Sequence, residues 1–311
     1  MRSTRGLRAL AAGALVAAVG ASACAPAGSP QPGATTPATT PTPSPVASAT
    51  PQAVDLTRPG KARDVLEQLQ AAAGSNRIVQ VEVTRWTAKI QILRGNDVIA
   101  WQWDRGVIDT VVSDVEYVGQ AVFTLDDFEL DDLGSLFRQA KLVSQSGNEQ
   151  QLQVVDYNRG TVMMTVATEP ESTSVFFHPD GTIVPEVDTA DPESVALTLD
   201  EVVGDTDNVQ LIEIQTTGIQ ADLPAGPDTV IRRTRLGRIP LLEAQRTESL
   251  DQRAFDPDLI DPEVIADLVA THEGTPLTIS QEAGDRRPRI RVSGLTGTTV
   301  YTLNGEELPQ G

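Results

Sequence analysis

The sequence predicts an α+β protein built from two tandem modules, each made of two αβββ units with helices packed on an antiparallel sheet. Three observations carry that expectation. Apolar residues recur at a constant offset of 132, so that Val98 and Ile99 fall on Val230 and Ile231, Phe123 on Phe255 and Leu136 on Leu268. Runs at helical spacing are followed by strand-like runs and a glycine turn, four times along the chain. Two helix starts repeat one order of residues, Asp191-Pro192-Glu193 and Asp261-Pro262-Glu263: a capping Asp, a proline at the first helical position and a Glu favoured by the helix dipole.

In the first unit Val65, Leu66 and Leu69 mark a helix, and strands follow at Ile78 to Thr84, Ala88 to Leu93 and Val98 to Trp103, before a turn at Gly106. The second starts at Asp131-Asp132-Leu133, with strands near Gln150 to Asp156, Thr161 to Ala167 and Ser174 to His178 and a turn at Asp180-Gly181. The third runs from Val195 to Gly237, and the fourth from Val264 to Asn304-Gly305. Residues 56–187 and 188–311 are therefore expected to form the two modules, joined near Pro185 to Asp191.

Two segments precede them. Arg2, Arg5 and Arg8 lead into the uncharged run Ala9 to Ala23, which is too short to rank as a spanning helix, so residues 1–24 read as a signal peptide. Residues 25–55 carry eight of the 21 prolines among Ala, Thr, Ser and Gly, with no charge before Asp55. Such a composition buries too little apolar surface to offset its ordering entropy, and predicts a disordered, extended tether with Ser and Thr hydroxyls open to O-linked sugars.

The run ends Ala21-Ser22-Ala23-Cys24, which resembles the lipobox of bacterial lipoproteins, with Ala21 where Leu is more usual. The resemblance implies cleavage before Cys24, acylation of its thiol and an anchor on the extracellular face of the plasma membrane. Cys24 is the only cysteine, which excludes an intramolecular disulfide and a cysteine-rich zinc site. Repeats of this size, ending in a strand, an Asp/Asn-Gly turn and a strand, resemble PepSY-type domains and the sheet-plus-helix modules of secreted β-lactamase-inhibitor proteins. The whole plan is similar to lipoproteins of high-GC Gram-positive bacteria, and Arg outnumbering Lys 21 to 3 fits that source. It implies binding or modulation of a partner and carries over no catalytic residue.

Charge narrows the partners. The chain has 43 acidic and 24 basic residues; without residues 1–24 the basic count falls to 21 and the net charge to −22. That argues against nucleic acid, whose binding rests on Lys and Arg. No phosphate loop, metal-spaced His pair or nucleophile elbow occurs, so no cofactor, metal or enzymatic activity is expected. The two histidines have structural readings, His178 as the flank of a hairpin and His272 in the last turn of a helix. The acids Asp126, Asp127, Glu129, Asp131 and Asp132 read as caps and solvated surface, since their spacing departs from a calcium loop.

Two features point to binding. Strand alternation puts Trp101 and Trp103 on one face, and the repeat maps them onto Arg233 and Arg235. A face that accepts two arginines is expected to be partly open, which makes Trp101, Trp103, Arg233 and Arg235 the candidate partner-binding residues; the competing expectation, which takes precedence for the two tryptophans, is core packing, because large aromatics are usually well buried. Arginines also concentrate at 232, 233, 235 and 238 and at 286, 287, 289 and 291, where cross-strand pairing with nearby acids is the first expectation and a patch for an anionic ligand the alternative. The function expected is a non-enzymatic surface lipoprotein that binds an envelope protein or an anionic wall component. The alternative is a lipid or small-molecule carrier with a cavity between sheet and helices; a hydrolase using carboxylates distant in the chain stands third.

Overall fold

Local sequence explains where the helices begin. In the computed structural model, which describes residues 53–169, 173–248, 250–295 and 297–309, the carboxylates of Asp132, Asp191 and Asp261 accept hydrogen bonds from the backbone N–H of Ser135, Ser194 and Glu263. These bonds cap α2 (Leu133–Ser144), α3 (Pro192–Val203) and α4 (Pro262–Thr271). The first helix, α1 (Lys61–Ala73), lacks a side-chain cap: Gly60 precedes it at φ 77°, and Gly74 closes it at φ 65°. The signal peptide, Cys24 and nearly all of the tether lie outside the described residues.

The protein is α+β, with four helices and two antiparallel seven-stranded sheets among the described residues. The first sheet holds β1 (Ile78–Val83), β2 (Thr87–Arg94), β3 (Asp97–Asp104), β4 (Val107–Val111), β5 (Glu149–Asn158), β6 (Thr161–Glu169) and β7 (Val175–Phe177), in the order β4-β3-β2-β1-β5-β6-β7. The second holds β8 (Leu211–Gln215), β9 (Gly218–Gly226), β10 (Thr229–Leu236), β11 (Ile239–Thr247), β12 (Leu277–Ser280), β13 (Arg289–Gly294) and β14 (Gly297–Tyr301), in the order β11-β10-β9-β8-β12-β13-β14.

One detail departs from the expected three strands per helix. The first helix of each half is followed by four, because Gly106 is not the end of a unit but the tip of a hairpin. Arg105 and Gly106, at φ 47° and 98°, turn β3 into β4, and Gly237 at φ 49° sits in the turn from β10 into β11.

Helices cover one face of each sheet. Val65, Leu66 and Leu69 of α1 and Leu133, Leu136 and Phe137 of α2 pack on Ile90 and Ile92 of β2, Val154 of β5 and Met164 of β6 in one continuous core. A second core joins Val195 and Val202 of α3 and Ile265 of α4 to Ile212, Ile219, Ile279 and Ile290. The opposite face of the first sheet mixes polar with apolar side chains, and residues 112–122 reach from Gln91 of β2 to Asp156 of β5. There Gln91, fully buried, donates to Gln80 Oε1 (3.1 Å) and Asp114 Oδ1 (2.9 Å) and accepts from Ser113 Oγ (2.6 Å). With its amide thus satisfied, the buried Gln91 needs no water.

Candidate functional site

β3 and β10 decide what becomes of the four residues singled out for binding. Alternation puts Trp101 and Trp103 on one face, as expected, but it is the face under the helices. Trp103 is 3 % exposed and belongs to the core; Trp101 packs against it, with its Nε1 shut from solvent and without an acceptor among the described residues. The partly open aromatic face is therefore not found at Trp103, which packs in the core as the competing expectation has it, while Trp101 stays partly buried, because α1 lies over β2 and β3.

Arg233 and Arg235 occupy the matching places beneath α3, and the inference that arginines imply an open face fails for Arg235, which is 1 % exposed. Its guanidinium is buried because everything around it accepts hydrogen bonds. Nε donates to Glu201 Oε2 of α3 (2.7 Å), Nη1 to the carbonyls of Gly237 (2.8 Å) and Ile239 (2.6 Å), and Nη2 to the carbonyl of Pro185 (2.7 Å). A buried charge persists where such partners are complete. Arg233, half-buried, donates to Glu243 (3.1 Å) and to the Val203 carbonyl at the C-terminus of α3 (2.9 Å), where a cation also complements the helix dipole. The two arginines thus fasten the Pro185 segment and α3 to the second sheet.

Beside them lies a cleft of about 390 Å³ whose walls include Arg159, Met163, His178, Leu241 and Glu243. Glu243 bridges Arg159 (3.2 Å) and Arg233, so the charges of this cleft are largely matched. His178 flanks a hairpin, its N–H donating to the Thr182 carbonyl (2.8 Å), and His272 follows α4 with Nε2 2.9 Å from the Tyr301 hydroxyl. The acidic run has local tasks: Asp127 accepts from Thr124, Asp126 and Asp131 pair with Arg63, and Asp132 caps α2.

The two arginine clusters have different fates. At 232–238 every guanidinium is paired. Arg232 grips the buried Asp222 through Nε (2.7 Å) and Nη2 (2.6 Å), a bidentate contact that raises the Arg232 pKa, and Arg238 meets Glu186 at 2.8 Å. At 286–291 only Arg291 is engaged, by Glu282 (3.2 Å), Asp285 (2.5 Å) and Ser280. Among the described residues no side-chain partner of Arg286, Arg287 or Arg289 is found; the first two are exposed and the third half-buried.

A fourth arginine joins them that the sequence did not single out. Arg253 is exposed and has no side-chain partner among the described residues, and its backbone N–H donates to the Gln281 carbonyl (2.8 Å) in a β-bridge that sets it beside the 282–288 loop. No local pattern marks Arg253; only the bridge between distant segments does. Residues 188–311 hold ten arginines and no lysine, and the four unpaired ones sit at this one end of the second sheet. Comparison of the chain with known protein families and with characterised proteins gives no match.

Proposed function

We propose that this chain is a non-enzymatic lipoprotein, anchored through Cys24 to the outer face of the plasma membrane, that binds an anionic partner in the cell envelope. The carrying observation is the segregation of the second half's arginines in a strongly acidic chain: six are consumed by ion pairs, and the four others, without a side-chain partner among the described residues, gather at one end of the second sheet. Unpaired guanidinium groups are free to form charge-assisted, bidentate bonds with phosphate or carboxylate. The proposal includes two related modules, residues 56–187 and 188–311, of PepSY-like or inhibitor-like ancestry. Their common strand order and the matching positions of β3 and β10 at offset 132 support it.

The carrier reading needs an apolar cavity between sheet and helices. Side chains of both layers meet there in one core, while the 390 Å³ cleft lies among paired charges. Binding of a partner therefore comes first.

Crosslinking on intact cells followed by mass spectrometry tests the proposal. Wild type should capture an envelope component that Arg286→Glu/Arg287→Glu/Arg289→Glu loses, and Cys24→Ser should release the protein or trap its precursor. Equal capture by the triple variant refutes the arginine surface; unchanged processing and membrane retention of Cys24→Ser refute the anchor.

A further inference from the structure

We infer that the arginine end of the second half receives an anionic glycopolymer, a chain whose phosphodiester or carboxylate charges are separated by hydroxyl-bearing units; this rests on the function proposed above and names the ligand class. Three observations lead there. First, the cations without a side-chain partner among the described residues come from three segments: Arg253 from the segment that bridges to Gln281, Arg286 and Arg287 from the loop, and Arg289 from the start of β13. Four cations carried by separate segments suit a ligand with repeated charges better than one small anion, which a single pair would satisfy.

Second, Arg287 and Arg289 line a cleft of about 550 Å³ with Leu259, Leu303, Asn304 and Glu306. Leucine walls give a sugar or polyol backbone an apolar surface to lie on, and the Asn304 amide both donates and accepts. Third, Glu306 places a carboxylate in that cleft. It accepts hydrogen bonds from hydroxyl groups and repels a closely charged chain, so it favours a polymer in which neutral hydroxylated units alternate with charges. An acidic polypeptide offers few hydroxyls to it, which makes such a partner the competing outcome.

The test uses the purified chain from residue 25 onward, without its acyl group, in titrations with poly(glycerol phosphate), polygalacturonate, poly-L-glutamate and inorganic phosphate at several salt concentrations. Binding to at least one of the two hydroxylated polymers is expected, with a logarithmic salt slope of about −3 if each of four contacts contributes ~0.7, as for single-stranded polyanions. The two polymers separate phosphodiester from carboxylate as the source of charge. Arg286→Glu/Arg287→Glu/Arg289→Glu should weaken binding at least about tenfold, whereas Arg58→Glu/Arg77→Glu, which lowers the net charge from the first half, should leave it within about twofold. Circular dichroism checks that each variant is folded. Glu306→Gln should weaken hydroxylated polymers relative to poly-L-glutamate.

Tighter binding of poly-L-glutamate than of either hydroxylated polymer overturns the ligand class while leaving an anionic partner in place. Equal loss in the Arg58/Arg77 variant overturns the site. Failure of all polymers to bind at low salt, with cellular capture still dependent on Arg286, Arg287 and Arg289, overturns the polymer alone; loss of that dependence as well overturns the proposed function.

Discussion

Replacing Arg235 by methionine tests whether its charge holds the second half together. Methionine keeps an aliphatic stem under α3 but removes every donor, and four acceptors lose a partner: Glu201 and the carbonyls of Pro185, Gly237 and Ile239. Two of these losses are softened, since the Glu201 side chain is 36 % exposed and Gly237 O keeps the Val187 N–H at 3.0 Å. The carbonyls of Pro185 and Ile239 lose the guanidinium outright, at ~1–2 kcal/mol each. Adding the charged contact with Glu201 brings the expected cost to about 3–5 kcal/mol, the range found on breaking a buried ion pair from one side. At roughly 2 kcal/mol per molar urea the midpoint should fall by about 1.5–2.5 M.

The assay separates the halves, because Trp86, Trp101 and Trp103 are the only tryptophans and all lie in the first. Far-ultraviolet circular dichroism reports both sheets, and tryptophan fluorescence the first alone. The dichroism midpoint should drop while fluorescence moves less; coincident shifts would mean that the halves unfold as one unit. Arg238→Ala is the reference, since Arg238 and its partner Glu186 are 39 % and 58 % exposed, and should cost under ~1 kcal/mol. A midpoint for Arg235→Met within about 0.5 M of wild type refutes the reasoning.

Trp103→Ala should destabilise the first half by about 3–5 kcal/mol as a core deletion, whereas Trp101→Phe, which removes an N–H without an acceptor, should stay within ~1 kcal/mol of wild type in urea unfolding. Gly204 ends α3 at φ 62° and ψ −146°, where an added Cβ would lie 2.5 Å from Arg233 Nη1; Gly204→Ala should cost about 1–3 kcal/mol in backbone strain, read from the dichroism midpoint. Asp55 has its pKa held down to about 2, chiefly by its hydrogen bond from Arg85 and also by Thr57, against burial pushing upward. A depressed carboxylate stabilises the fold above its unfolded value near 3.8 and loses that contribution as pH falls toward 2. Asp55→Asn should therefore melt below wild type at pH 6 and level with it at pH 2; a difference that persists undiminished to pH 2 contradicts the link.

Helix starts and most strands were legible in the sequence because their causes are local. An Asp one residue before Pro192 or Pro262 caps the helix wherever the chain folds, and alternation along Val98 to Trp103 sets which side chains share a face. Which face lies under a helix is not a local property. The same alternation that groups Trp101 with Trp103 is compatible with an open face or a covered one, and the packing of α1 covers it. Arginine pairing is equally nonlocal: Arg235 finds Glu201 34 positions earlier and Pro185 50 positions earlier, and Arg253 reaches the 282–288 loop only through its bridge to Gln281. Composition by itself determined an acidic chain with two arginine-rich stretches. Tertiary structure decided which guanidiniums are spent inside the fold and which remain free, because a charge pairs with the acceptors that strand register and helix docking bring within about 3 Å, whatever their distance along the chain.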